Sequence, residues 1–215
     1  MFPFDVILFD VGGVLLTNGW DHSERAETAR QFELDLAGLE VRHAEVYPAW
    51  ERGAITGKEY LTHVVFNEPR SFSRGAFFSF MLSQSKLLPD GALGILEEVA
   101  ALKKCMVGAL NNEARETNEY RFREFGLREH LSVSLSSCYL GLRKPDPAIY
   151  HRALDILGRP AERILFIDDR AENAAAAAGV GMKAIQFKGA ESLRVELVSL
   201  GVFEGTREQG PGTRQ

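Results

Sequence analysis

Three charged elements stand just past short apolar runs. Asp10 follows Val6–Phe9 (VILF), and Asp168-Asp169 follows Ile164–Ile167 (ILFI). Lys144 lies in the loop LRKPDP, after a weaker run at Leu131–Leu135. A single charge past a strand is commonplace, but three converging on one end of one sheet would form a site. Carboxylates within a few ångströms of one another repel strongly at intermediate dielectric. They need a cation, and Lys144 supplies only one positive charge. Oxygen donors with no His or Cys beside them suit Mg²⁺ rather than Zn²⁺.

These residues converge only if the intervening elements put them on one edge. Met106–Leu110 (MVGAL) and Ala184–Phe187 (AIQF) are further short apolar runs. Runs rich in Val, Ile and Phe fit strands buried on both faces. Helical spacing separates them at Ala92–Lys104, Glu113–Phe125, Pro147–Leu157 and Glu172–Ala178. The alternation predicts an α/β fold, a doubly wound, mainly parallel sheet of five or more strands. Its ligand crevice should open at the carboxyl ends of the strands. If strands one and four are neighbours, Asp10, Asp168 and Asp169 meet there.

One stretch breaks the alternation. Asp21–Phe32, Glu40–Arg52, Gly57–Phe66 and Ser73–Gln84 read as four helices with no strand between them. Thr56, with Glu59 three residues on, has the spacing of a capping box. The expected organisation is a Rossmann-like core at residues 1–17 and 88–203 with an α-helical cap inserted at 18–87. Residues 204–215, polar and Gly-rich, read as a disordered tail.

The bulk properties narrow the partners. A net charge of −5 supplies no basic stripe for nucleic acid. No segment approaches the roughly 20 apolar residues of a membrane helix, and the amino terminus lacks a secretory pattern. Cys105 and Cys138 lack metal-ligand spacing and read as buried free thiols. The expectation is a cytoplasmic monomer or homodimer acting on a small molecule.

FDVGGVLL, GALNNE, LRKPDPAIY and FIDDRAEN occur in the order of the four motifs of the haloacid dehalogenase superfamily. The chain resembles its helical-cap subgroup over nearly its whole length. The phosphatase domain of soluble epoxide hydrolase and bacterial sugar-phosphate phosphatases are similar. The resemblance implies a Mg²⁺-dependent phosphatase for a small phosphorylated metabolite, with Asp10 as the nucleophile that forms an aspartyl-phosphate. It implies Asp10, the carbonyl of Gly12 and Asp168 as metal ligands. It makes Lys144 the residue that stabilises nucleophile and phosphoryl group, and Asp169 an orienting carboxylate. Asn111 and Asn112 fall where the family holds phosphate oxygens.

Two positions depart from the pattern. Gly12 stands where phosphatases of this family carry a second Asp, the general acid–base, whose assistance is worth roughly 10²–10⁴ in rate. Asn111 stands where Ser or Thr is usual and can still donate from its amide. Without a built-in acid, easily departing leaving groups would be favoured. Two rival readings follow. A 2-haloacid dehalogenase also lacks the second Asp, but needs no metal and lacks the acidic pair. A decayed site could merely bind a phosphorylated ligand. A phosphonate-cleaving relative would need a cap lysine, and Lys58, beside a helix start, reads as a surface residue.

In the cap, Trp20, Asp21, Arg25 and Trp50 are possible substrate contacts, though tryptophans packed between helices are the simpler reading. Asn173 reads chiefly as a first-turn residue. Most of the five histidines read as surface residues, with His22 nearest in sequence to the nucleophile loop.

Overall fold

The computed structural model describes residues 2–204. The segment read as a tail lies, from residue 205 on, outside the described residues. Five strands form one parallel sheet: β1 (Val6–Phe9), β2 (Met106–Ala109), β3 (Val133–Ser134), β4 (Ile164–Asp168) and β5 (Lys183–Gln186). Their order is β3-β2-β1-β4-β5. β1 is therefore central, with β4 beside it in the register Phe9↔Ile167. Asp10 and Asp168 leave the sheet side by side at its carboxyl edge.

The strand sequences explain the layers. Alternate side chains face opposite sides of a strand. Ile7, Phe9, Leu165 and Ile167 join one core cluster, packed under α5 (Leu93–Leu102) and α10 (Ala190–Ser199). Val6, Leu8, Ile164 and Phe166 join the other, under α8 (Pro147–Leu157) and α9 (Ala171–Gly179). Every residue of β1 and β4 is buried, so the strands read as continuous apolar runs. Each such side chain contributes roughly 1.5–3 kcal/mol of burial.

Three elements depart from expectation. β3 is two residues long rather than five. It is an edge strand, paired among the described residues with β2 alone, and Ser134 with the preceding Ser132 leaves the run little apolar surface to bury. The one-turn helix α7 (Ser137–Leu140) was not anticipated, nor was α10, although Leu193 and Leu197 stand one turn apart and are its buried residues.

Between β1 and α5 lie α1 (His22–Gln31), α2 (Leu36–Glu51), α3 (Gly57–Val64) and α4 (Arg74–Ser83). Each begins at a residue whose side chain accepts a first-turn amide: Asp21, Asp35, Thr56 and Ser73. The capping box read at Thr56 and Glu59 is formed, and Asp21 makes a second with Glu24. The four helices share a core of their own around Trp20, Leu39, Trp50, Tyr60 and Phe77. Trp50 stacks on Tyr60 with centroids 4.1 Å apart.

The chain enters and leaves this insert side by side. Thr17 N–H donates to Lys86 O at 2.9 Å, and Leu88 N–H to Leu15 O at 3.3 Å. On its far side the insert touches the sheet layer at Gly53. There φ is +68° and a Cβ would collide with the carbonyl of Cys138. Among the described residues no helix is long and apolar enough to cross a membrane.

Candidate active site

A cleft of about 410 Å³ opens between the carboxyl edge of the sheet and the helical insert. Its floor is built around Lys144. The ammonium lies 2.9 Å from Asp10 Oδ1 and 2.6 Å from Asp168 Oδ2, and all three residues are buried. Asp10 Oδ1 also accepts the Val11 N–H at 2.8 Å. Both donors fall on the same oxygen and leave Oδ2 as the oxygen open to another partner.

Asp168 is held more completely. Arg170 N–H donates to Oδ1 at 2.9 Å, and the Asn173 amide reaches both oxygens at 3.0 and 3.1 Å. Asn173 is therefore more than a first-turn residue, since its side chain fixes a carboxylate of the site. Asp169, half-buried, points back toward the floor. Gly13 permits this approach: its φ is +72°, and a Cβ there would collide with the Asp169 carboxylate.

The charges are mutually dependent. Burial, and then the Asp168 carboxylate, push Asp10 up to about 7 against the pull of Lys144. Burial would lower Lys144, but Asp10 and Asp168 outweigh it and hold the ammonium above its usual value. Asp169 is raised by burial and by Asp168. Lys144 pairs with Asp10 and Asp168, and Arg170 only partly offsets the rise of Asp169. One oxygen from each of Asp10, Asp168 and Asp169 lies within 4.8 Å of the others, with no His or Cys in the group. This donor set fits a hard divalent cation, which would relieve the remaining repulsion.

The second motif divides its work. Asn112 lines the cleft and clasps the Lys144 backbone, donating to its carbonyl and accepting its N–H, both at 2.9 Å. The Asn111 side chain is engaged elsewhere. It donates to Asn118 Oδ1 at 3.0 Å and accepts from Ser136 at 2.8 Å, so its amide belongs to a buried network behind the floor. Gly12 lines the cleft beside Asn18, whose Oδ1 would lie 2.9 Å from a Cβ at position 12.

A model of the haloacid dehalogenase-like hydrolases matches residues 4–181. The chain belongs to that family. It is a hydrolase, and its fold is that of solved members of the family. Flavin mononucleotide hydrolase 1 of Arabidopsis thaliana is 32% identical over 164 residues, 76% of this chain and 65% of that protein. Rat bifunctional epoxide hydrolase 2 is 31% identical over 139 residues, 60% of this chain and 24% of that protein. The chain thus spans less than two thirds of either relative. A family enzyme of Bacteroides thetaiotaomicron, solved with magnesium and inorganic phosphate, superposes with a TM-score of 0.70. It is 20% identical, and the match covers 86% of this chain and 95% of that one.

Above the haloacid dehalogenase-like floor, the structure gathers residues that the motifs do not mark. On the entry side Arg121, fully buried in α6 (Arg115–Glu124), pairs with Glu113 and holds the carbonyls of Thr17 and Asn18. Thr117 donates to Glu113 at 2.6 Å. Thr117 and Arg121 stand four residues apart on one face of α6, and Glu113 precedes the helix by the same interval, a spacing that could have revealed them.

On the insert side, Glu51 from α2 meets Arg143, the neighbour of Lys144, with 2.5 Å between Oε2 and Nε. Their alignment is not that of a hydrogen bond, so the contact is one of charge. Burial raises Glu51, and Arg143 opposes the rise.

The aromatic and basic candidates sort differently. Trp20 lines the cleft and also packs edge-on against Phe77. Trp50 is wholly a packing residue of the insert, its indole N–H donating to Glu116 of α6 at 3.0 Å. Asp21 and Arg25 line the cleft, but Arg25 is clamped by Glu40 at 2.8–2.9 Å. Lys58 is exposed. His22 is a surface residue whose side chain is 73% exposed. His43 is the exception to the expectation that most histidines are surface residues. It is buried, lines the cleft and was invisible as a site residue because it sits mid-helix with no motif around it.

Proposed function

We propose that this chain is a Mg²⁺-dependent phosphatase that moves the phosphoryl group of a small phosphorylated metabolite first to Asp10 and then to water. The observation that carries the reading is Lys144 Nζ seated between Asp10 and Asp168, at 2.9 and 2.6 Å, with Asp169 completing the group of carboxylates. A dehalogenase has no use for that second pair of carboxylates, and a binding module has no use for a nucleophile. The helical insert serves as the cap that closes over the substrate.

In this scheme Asp10 Oδ2 attacks phosphorus, the bond to the leaving oxygen breaks, and an acyl phosphate forms on Asp10. Water then attacks phosphorus, releasing phosphate and restoring the carboxylate. Lys144 holds Oδ1 and favours the ionised nucleophile against the burial that opposes it. Asp10, Asp168 and the Gly12 carbonyl would hold Mg²⁺, with Asp169 orienting its surroundings. The cation supplies charge neutralisation for the incoming dianion. Asn112 fixes the Lys144 loop and, with the amides of the second motif, faces the phosphate. Position 12 offers no carboxylate to protonate the leaving oxygen, so the reading favours leaving groups of low pKa or those that carry their own proton.

The test is release of inorganic phosphate from a panel of phosphorylated metabolites, with Mg²⁺ and with chelator, in wild-type and Asp10→Asn protein. Mg²⁺-dependent release that vanishes in Asp10→Asn, and trapping of beryllium fluoride by the wild type alone, are expected. Halide release from 2-haloacids without Mg²⁺ would overturn the proposal, as would ligand binding with no turnover across the panel.

A further inference from the structure

The insert carries a hydrogen-bond chain that the floor does not use. Trp20 Nε1 lies 2.7 Å from Tyr60 Oη, which lies 2.7 Å from His43 Nδ1. An indole N–H can only donate, so the tyrosine oxygen accepts from Trp20. Tyr60 is fully buried, and its own proton needs an acceptor. Among the described residues its remaining partner is His43 Nδ1. The opposite arrangement, Nδ1–H donating to Tyr60, would bury an unpaired phenol proton.

The state of the imidazole follows. Burial, and then the Arg25 guanidinium, hold His43 down at about 4, with Glu40 opposing them. The ring is neutral at pH 7. A neutral ring that accepts at Nδ1 carries its proton on Nε2. Nε2 has no protein partner among the described residues, and the residue lines the cleft. Tyr47, half-buried, packs against the ring at 4.3 Å and keeps it from turning.

The neighbouring charges are already engaged. Arg25 is bidentate to Glu40 and donates to Trp20 O at 2.6 Å. Arg143 faces Glu51. What this wall adds to the cleft is a directed neutral donor.

We propose that His43 Nε2–H is a fixed hydrogen-bond donor for the organic part of the substrate, which is a neutral, oxygen-bearing chain such as a polyol rather than a hydrocarbon. The assignment rests on the phosphatase reading. Trp20 and Tyr60 act through His43 and are positioning residues. His43 holds an oxygen and does not supply a proton, so it does not replace the carboxylate absent at position 12.

Long-range ¹H–¹⁵N spectra at pH 7 read the tautomer directly. His43 is expected to show the Nε2–H pattern, and Tyr60→Phe to lose its purity. Mg²⁺-loaded Asp10→Asn protein is then titrated with sorbitol 6-phosphate and with hexyl phosphate, probes of equal chain length. The His43 Nε2 resonance should move with the first and not the second. In active protein, His43→Phe should cut the KM preference for sorbitol 6-phosphate over hexyl phosphate by about three- to tenfold, the range of one neutral hydrogen bond.

An Nδ1–H pattern, an absent or equal Nε2 response to the two probes, or an unchanged preference would overturn the proposal. The spectra do not depend on turnover or on the folding of a His43 variant. An intact Nε2 response without hydrolysis would sink the phosphatase reading alone.

Discussion

Asn112 and Lys144 hold each other as two strand residues would: the amide of Asn112 donates to the Lys144 carbonyl and its oxygen accepts the Lys144 N–H, each at 2.9 Å. The ammonium is thereby aimed from a backbone that is fixed at both polar groups. Asn112→Ala should lower kcat about tenfold or more while Mg²⁺ binding changes little. It should also lower stability by about 1–2 kcal/mol, the loss of two hydrogen bonds at a half-buried site. Urea unfolding together with steady-state kinetics would check both. Unchanged kcat in a folded variant would show that the Lys144 loop is held by other contacts.

The carboxylate missing at position 12 can be restored. A Cβ there would lie 2.9 Å from Asn18 Oδ1, the far end of an exposed side chain that can swing away. Gly12→Asp with Asn18→Gly should fold and should raise kcat on alkyl phosphates by up to about 10²-fold, within the range of general acid–base assistance. Gly12→Asp alone should gain less, because Asn18 must first be displaced. Rates measured across esters of graded leaving-group pKa would show a flatter dependence in the double variant. An unaltered slope would mean that leaving-group protonation does not limit this site.

Much of the floor was legible in the sequence, and the reason is local. Asp10, Asp168 and Asp169 follow strands whose period and length announce them, and a parallel sheet sends every strand end to one edge. The register Phe9↔Ile167 then does the rest. Lys144 was legible through its motif instead, since a short helix separates it from β3. Asn111 was less legible. Its position after β2 places it at the site, but its amide turns to Asn118 and Ser136, and that preference depends on partners seven and 25 residues away. The wall was hardest. His43, Glu51 and Arg143 are brought together by the packing of the insert on the sheet layer, and no short-range pattern encodes that. β3 is shorter than its apolar run because Ser132 and Ser134 leave an edge strand little burial to lengthen it.

Arg121 joins the cleft to the point where the chain enters the insert. It pairs with Glu113 and also holds the carbonyls of Thr17 and Asn18. Glu113→Ala would leave a buried guanidinium without its counter-charge, and should cost about 3–5 kcal/mol. Arg121→Lys keeps the charge but loses the fork that spans three acceptors. It should cost less stability and raise KM, because the entry segment beside Gly12 and Asn18 is freed. Thermal unfolding and hydrogen exchange at residues 14–20 would separate the two effects. An Arg121→Lys variant with unchanged KM and unchanged exchange at these residues would reduce Arg121 to a simple ion-pair partner.

His43 makes the insert sensitive to acid. Its folded value of about 4 lies below the ordinary 6.5, because burial and Arg25 oppose its charge, while Glu40 partly offsets them. Tyr60 and Trp20 on one side and Tyr47 on the other carry no charge near neutral pH. The unfolded chain therefore takes up a proton between pH 6.5 and 4 that the folded chain refuses. The stability from the neutral ring is fully present above about 6.5 and is lost as pH falls toward 4. Asp10, pushed up to about 7, also changes charge as the pH falls, so the difference between two proteins is the measurement. Urea midpoints of the wild type should fall more steeply from pH 7 to 4.5 than those of His43→Gln, which has no titrating ring. Parallel curves would mean that His43 accepts its proton in the folded state, with a rearranged bond to Tyr60.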